Sequence, residues 1–217
     1  TELHGENMKR KIVAVNGTIG SGKNAFSEPF IDNGFTQMSF AKNLKDSVAA
    51  IFGWDREMLE GITKESRAIR EIPDAYWCKK LGRDDVSPRW VLQYYGTDVV
   101  RRYLNNDIWV YSLEKSMQDI KGDIIISDCR FPNELTMIRE NGGVVIEVQR
   151  ELPEWYNDAY RYNVRGGDLP EALKTIHPSE WAWIGINKPD YVVQNNSTLE
   201  ELNKQAEWII HGIKDKN

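Results

Sequence analysis

The stretch Lys11-Ile12-Val13-Ala14-Val15-Asn16-Gly17-Thr18-Ile19-Gly20-Ser21-Gly22-Lys23 decides the fold. Its first half is a β-branched apolar run, the mark of a buried strand. Its second half fits G-x-x-x-x-G-K. Glycine is needed there because the backbone must bend tightly around phosphate groups and turn its N–H groups inward, and the lysine reaches the β/γ-phosphates. A helix expected from about Lys23 to Asp32 presents its positive N-terminal end to the same anion. The pattern implies a bound nucleoside triphosphate, wrapped by Gly17, Thr18, Ile19, Gly20, Ser21, Gly22, Lys23, Asn24 and Ala25. Asn24 stands where the motif has Ser or Thr to place a hydroxyl on Mg²⁺. An amide oxygen is also a hard ligand. Otherwise the ion is held elsewhere, or the nucleotide is bound without turnover.

Working outward, a second short strand is expected at Thr36 to Phe40. A helix follows in which Leu44, Val48, Ile51 and Phe52 share one face. Ser87-Pro88 is a helix start, with Ser as N-cap, and the helical pattern breaks near Gly96 before a second piece running through Met117. Strands are read at Asp123 to Ser127, Val144 to Val148 and Tyr191 to Val193. Between the first two lies a helix, Pro132 to Glu140, with Leu135 and Ile138 inward, stopped at Asn141-Gly142-Gly143. Ser197-x-x-Glu200 is a capping box opening the last helix, where Leu199, Leu202, Ala206, Ile209 and Ile213 line one face. Strands alternating with helices imply a parallel sheet in a layered α/β fold. Two charged stretches, 55–86 and 150–188, are too long for plain connections and read as functional excursions.

The chain has 217 residues, 41% hydrophobic and 28% charged, ordinary for a globular protein. A net charge of −5 supplies no basic excess for coating nucleic acid. Cys78 and Cys129 are far apart and form no CxxC pair, which argues against a disulfide framework or zinc site. No run approaches the roughly 18 apolar residues of a membrane span, so a cytoplasmic setting is expected, with no membrane partner. Polar residues 1–7, ahead of Met8-Lys9-Arg10, are read as an added leader outside the fold.

Asp128-Cys129-Arg130-Phe131-Pro132 follows the apolar run at 123–127. An Asp at the end of such a strand is where enzymes of this loop hold the Mg²⁺ shell, although Asp also caps helices. Arg130 has a planar cation suited to phosphate. The aromatic residues Trp90, Tyr94, Tyr95 and Trp109 fall on an apolar helical pattern, and core packing is preferred to base stacking.

The ordered set GTIGSGK, FAKNLKD from Phe40, YYGTDVVRR followed by NNDIW, SDCRFPNE, IHPSE and VVQNNSTLEEL resembles phage deoxynucleoside monophosphate kinases over Lys11 to about Ile210. The resemblance implies a three-layer P-loop kinase fold with a five-stranded parallel sheet, a monophosphate-binding insertion and a lid. It implies one kinase domain over 8–217: a core of about 8–54, 86–149 and 189–217, an insertion at about 55–85, and a lid at about 150–188. Lys23, Asp128, Arg130 and Arg101 would carry the reaction, with Asn24 and Asp128 on Mg²⁺. Phe40, Lys45, Arg67, Arg70, Tyr94, Gly96, Thr97, Asp98, Arg101, Arg130, Glu134 and His177 would serve the acceptor. For Arg67 and Arg70 a solvated helix face is the competing reading; His177 with Glu180 falls where the family has a His-x-x-Glu element after the lid, with a polar loop contact as the competing reading. Arg150, Arg161 and Arg165 are the candidates for the lid cations, among which the sequence does not choose, and Asn195, beside Asn196, sits where the ATP base is held. The implied reaction moves the γ-phosphoryl of ATP to a deoxynucleoside monophosphate. A homodimer is compatible with the sequence. The competing readings are a P-loop kinase for another acceptor (dephospho-coenzyme A, a sugar acid, or a hydroxymethylated base in DNA) and a nucleotide-binding module without catalysis.

Overall fold

A computed structural model describes residues 10–186 and 188–215. Residues 1–7, with Met8, lie outside the described residues. The chain divides into two compact units: the described part of Thr1–Ser39 with Met117–Asn217, and Phe40–Ser116.

The first unit is built on a parallel five-stranded sheet ordered β2-β3-β1-β4-β5, with β1 Ile12–Asn16, β2 Thr36–Met38, β3 Ile124–Ile126, β4 Val144–Gln149 and β5 Tyr191–Gln194. A parallel strand covered on both faces carries an unbroken apolar run rather than an alternating one. Every residue of β1 and β3 is buried accordingly. Register pairs Ala14 with Ile126 on one side and Asn16 with Glu147 on the other, so β1 is central and the loops leaving β1 and β3 emerge side by side.

Helix α1 (Lys23–Asp32) buries Phe26 and Phe30, and Phe35 packs edge-on against Phe30 at 5.3 Å. The last helix, Leu199–Lys214, adds Leu202, Ala206, Ile209, Ile210 and Ile213 to the same core. It departs from the sequence reading in two ways. Its N-cap is Thr198, whose hydroxyl accepts from Glu201 N at 3.2 Å, so the cap lies one residue beyond Ser197. Leu199 is 57% exposed, because a first-turn side chain projects past the sheet edge that the later turns cover. Helix Pro132–Glu140 buries Leu135 and Ile138 fully, as its spacing predicts.

The second unit is helical. After Lys42–Phe52 come three short helices, Arg56–Glu60, Lys64–Arg70 and Ala75–Leu81, each entered through a side-chain cap: Asp55, Thr63 and Asp74. Val48, Leu59, Val86 and Val91 form its core, with Phe52, Trp54 and Trp77 packed around them. Ile51 does not join them. It is 53% exposed, since the buried stripe of a short helix is narrower than the apolar pattern. Ser87 caps Pro88–Gln93 as read. The expected break near Gly96 does not occur. Helical backbone continues as an 11-residue π-helix, Tyr94–Leu104, and the interruption falls at 105–107, before Ile108–Met117. Gly96 permits the wide turn by closeness rather than by breaking it: a Cβ there would lie 2.8 Å from Leu44. Tyr94 also departs from the core reading, being 46% exposed while stacking on Trp90 at 4.8 Å.

Among the described residues no helix is long and apolar enough to cross a membrane.

Candidate functional site

The phosphate loop joins β1 to α1. Gly17 and Gly22 have φ of +152° and +96°, and both are hemmed in. A Cβ on Gly17 would overlap the Val148 carbonyl and lie 2.6 Å from Ser21 Oγ; one on Gly22 would overlap the Asn195 amide. Gly20, with φ +77°, has open space where its Cβ would be. Asn195 donates its side-chain amide to Ser21 O at 2.9 Å, tying the loop to the end of β5. The helix that follows has no side-chain cap and no acidic residue in its first turn, which favours an anion at its positive end. Ser21 is fully buried and its Oγ has no partner among the described residues.

Lys23 turns back over this cradle, donating to Gly17 O at 2.8 Å and Thr18 O at 2.9 Å. Burial, and then the neighbouring Arg130 cation, push its ammonium down to about 8; Glu180 and Asp128 pull the other way. A desolvated cation resting on carbonyl oxygens is poised to exchange them for phosphate oxygens, which offer full countercharge.

From the carboxyl end of β3 comes Asp128, whose Oδ2 accepts from Ser39 Oγ at 2.6 Å. Ser39 lies just past β2, beyond the pairing of Met38 with Ile126. Arg130 is fixed twice. Its backbone N–H donates to Glu134 Oε2 at 2.6 Å, and its Nη1 pairs with Glu180 at 2.9 Å. Glu134 is 4% exposed and also accepts from Phe131 N, which places it under the turn that carries Arg130. His177 accepts from Ser179 N and meets Ser179 Oγ at 2.8 Å, so it caps the short turn Pro178–Glu180. The structure thus brings Lys23, Asp128 and Arg130 together, joins to them Glu180, noted in the sequence beside His177, and adds Ser39, which the sequence reading did not single out. Ser39 carried a usable signal, the carboxyl end of a strand; nothing in the sequence pointed from Glu180 to Arg130.

The cradle, the partly buried lysine and the orphaned Ser21 hydroxyl fit a polyphosphate. Among the described residues no cluster of three or more His, Cys, Asp or Glu is arranged to hold a metal ion. A divalent ion here would rest on few protein oxygens, Asp128 foremost, with phosphate oxygens completing its shell, as Mg²⁺ commonly does.

Arg150, Arg161 and Arg165 are exposed. Arg161 and Arg165 lie on the helix Tyr156–Arg165, facing a cleft of about 280 Å³ that Tyr162, Gly166 and Asp168 also line. Asn24 is exposed and Asn196 bonds Gln194 at 3.4 Å.

In the second unit, Lys45 pairs with Glu60 at 2.6 Å. Arg67 donates to Ile62 O at 2.6 Å and Arg70 to Leu59 O at 3.1 Å, so both arginines staple the turn between two short helices. The π-helix carries Tyr94, Gly96, Thr97, Asp98 and Arg101 on one continuous element. Arg101 is 6% exposed and Phe40 4%. Trp109 donates its indole N–H to Gly96 O at 2.9 Å, bracing that element.

A family model described as deoxynucleotide monophosphate kinase matches residues 60–160. A protein of Acanthamoeba polyphaga mimivirus, which bears the same name provisionally, is 30% identical over 209 residues, covering 89% of this chain and 93% of that protein. The deoxynucleoside-5'-monophosphate kinase of Escherichia phage T5 is 32% identical over 96 residues, 44% of this chain and 34% of the phage protein. Among solved structures, dephospho-CoA kinase from Campylobacter jejuni aligns with a TM-score of 0.47 at 17% identity, over 94% of this chain and 98% of that one. TT1252 from Thermus thermophilus aligns at 0.49 and 15%, over 94% and 97%. Since the identity to the mimivirus protein reaches 30% along nearly its whole length, the chain belongs to the deoxynucleotide monophosphate kinase family and is a phosphotransferase.

Proposed function

We propose that the protein transfers the γ-phosphoryl group of ATP to a deoxynucleoside monophosphate, giving ADP and the diphosphate. The observation that carries this reading is the placing of Lys23, Arg130 and Asp128 around one glycine cradle, with Lys23 desolvated and resting on exchangeable carbonyl partners. Backbone N–H groups from Thr18 to Asn24 receive the β- and γ-phosphates, and Lys23 moves onto them. Arg130 presents its fork to the transferred group. The nucleophile is a phosphate oxygen of the acceptor, already ionised near neutral pH, so no general base is required. Positioning and charge neutralisation then supply the rate. Mg²⁺, with Asp128 and Asn24 as its protein ligands, supplies further neutralisation of the phosphate charge when bound.

For the acceptor we assign the second unit's Lys45, Arg67, Arg70 and Arg101 to the phosphate, and Phe40, Tyr94, Gly96, Thr97 and Asp98 to the nucleoside. Arg150, Arg161 and Arg165 are assigned to a lid over residues 150–188, whose closure excludes water that would otherwise take the phosphoryl group.

ADP release measured with ATP, Mg²⁺ and each deoxynucleoside monophosphate in turn tests the reading. Turnover on at least one of them is expected. Turnover confined to dephospho-coenzyme A, a sugar acid or DNA, or to none, would overturn it.

A further inference from the structure

Arg130 is held at both ends, and the two anchors differ in kind. Glu134 fixes its backbone from beneath. Glu180, 50 positions along the chain, takes only Nη1 of the guanidinium, at 2.9 Å. Among the described residues the other edge of the fork, Nε and Nη2, has no partner. That edge carries two parallel N–H bonds, the geometry that grips a phosphate bidentately. Glu180 is itself well held. Its carboxylate side chain is 14% exposed, and it closes a one-turn segment that His177 caps through Ser179. Trp181 follows at once, 8% exposed, and donates its indole N–H to Ile176 O at 3.0 Å. A long, rotamer-rich arginine would otherwise lose substantial side-chain entropy on being fixed for phosphate.

We propose that Glu180 is the positioning residue of Arg130: it tethers Nη1 so that Nε and Nη2 face the phosphoryl group in transfer, and His177 secures the turn that presents Glu180. This rests on the phosphoryl-transfer reading above. Glu180 touches no substrate; its contribution passes through Arg130.

The test is a double-mutant cycle on kcat, measured at saturating ATP and acceptor, with Tm recorded for every variant. Glu180→Ala is expected to lower kcat by roughly tenfold, a loss of order suited to one misplaced transition-state donor, with KM for ATP changed by less than about threefold. Glu180→Gln keeps an oxygen for Nη1 and should recover much of the rate, leaving a loss of roughly threefold. In an Arg130→Gln background, followed by single turnover, neither Glu180 variant should cost anything more. Equal losses in both backgrounds, or an effect confined to KM, would overturn the positioning role. Should Glu180→Ala not fold, the Glu180→Gln pair carries the same comparison. Wild-type turnover on the monophosphates is read in the same assay. Its absence defeats both readings, whereas turnover without coupling defeats only the role given to Glu180.

Discussion

Replacing Gly17 and, separately, Gly20 by alanine turns the loop's geometry into a number. Both residues have positive φ, +152° and +77°, and both replacements stiffen the unfolded chain by the same amount, worth about 0.4–1 kcal/mol. Those contributions cancel in the comparison. What differs is the backbone angle, which at +152° lies further from the left-handed region open to alanine and adds to the cost at Gly17, and the space. At Gly20 a methyl group meets nothing within 4 Å. At Gly17 it lies 2.6 Å from Ser21 Oγ and closer still to the Val148 carbonyl, a backbone atom of β4 at the position paired with Val193 of β5. Ser21 can rotate, but β4 cannot yield without breaking its pairing, so loop and strand must part by roughly 1 Å. Overpacking of that size costs about 1–3 kcal/mol. With about 2–4 °C of Tm per kcal/mol for a chain of this length, Gly17→Ala should melt about 2–12 °C below Gly20→Ala. The assay is thermal melting without nucleotide, which keeps ligand contacts out of the comparison. Steady-state kinetics then follow: a displacement of about 1 Å in the phosphate cradle should lower kcat/KM for ATP by roughly 10²-fold in Gly17→Ala. Equal melting temperatures for the two variants would refute the argument that the Val148 carbonyl dictates glycine at position 17.

Lys23→Ala should lower kcat by about 10³-fold with little change in Tm, as expected for removing a donor used in the transition state; near-wild-type transfer would remove Lys23 from the reaction. The lysine also predicts a pH dependence. Burial pushes its ammonium down to about 8, and phosphate contact favours the charged form, so the value with ATP bound is higher. Binding of ATP in EDTA should therefore be fully developed below about pH 8, weaken as pH rises above it, and take up a proton near pH 9; calorimetry in two buffers of different ionisation enthalpy measures this, and the absence of proton uptake would contradict it. Asp128→Asn should raise the Mg²⁺ concentration needed for half-maximal rate, and an unchanged titration would take Asp128 out of the ion's shell. Tyr156→Phe removes a hydroxyl that donates to the buried Glu147 carboxylate, which among the described residues is left with Gln149 at 2.8 Å; urea denaturation should show a loss of about 1–3 kcal/mol.

What could be read from residues alone was whatever is local and repeated. The loop is contiguous, and each glycine answers to a demand of the phosphate geometry, so Gly17 to Lys23 declared itself. The apolar runs at 12–16 and 124–126 did the same, because a parallel strand covered on both faces has no polar side to hide its period. The stop after Glu140 and the cap at Ser87 are equally short-range. Register along a helix was less legible. Ser197 and Thr198 offer the same hydroxyl chemistry one residue apart, and Leu199 and Ile51 fit a helical period that says nothing about how wide the buried stripe is. The π-helix at 94–104 escaped notice because Gly96 read as a break, whereas it sits within the helical element close against Leu44.

The site itself was decided by tertiary structure. Asn195 meets Ser21 across 174 positions, Ser39 meets Asp128 across 89, and Glu180 meets Arg130 across 50. A pairing at such separation leaves no periodicity in the chain. It exists because the parallel sheet sets the carboxyl ends of β1, β2 and β3 side by side and brings the segment after β4 back over them, so that single polar residues from distant loops complete one another's hydrogen bonds.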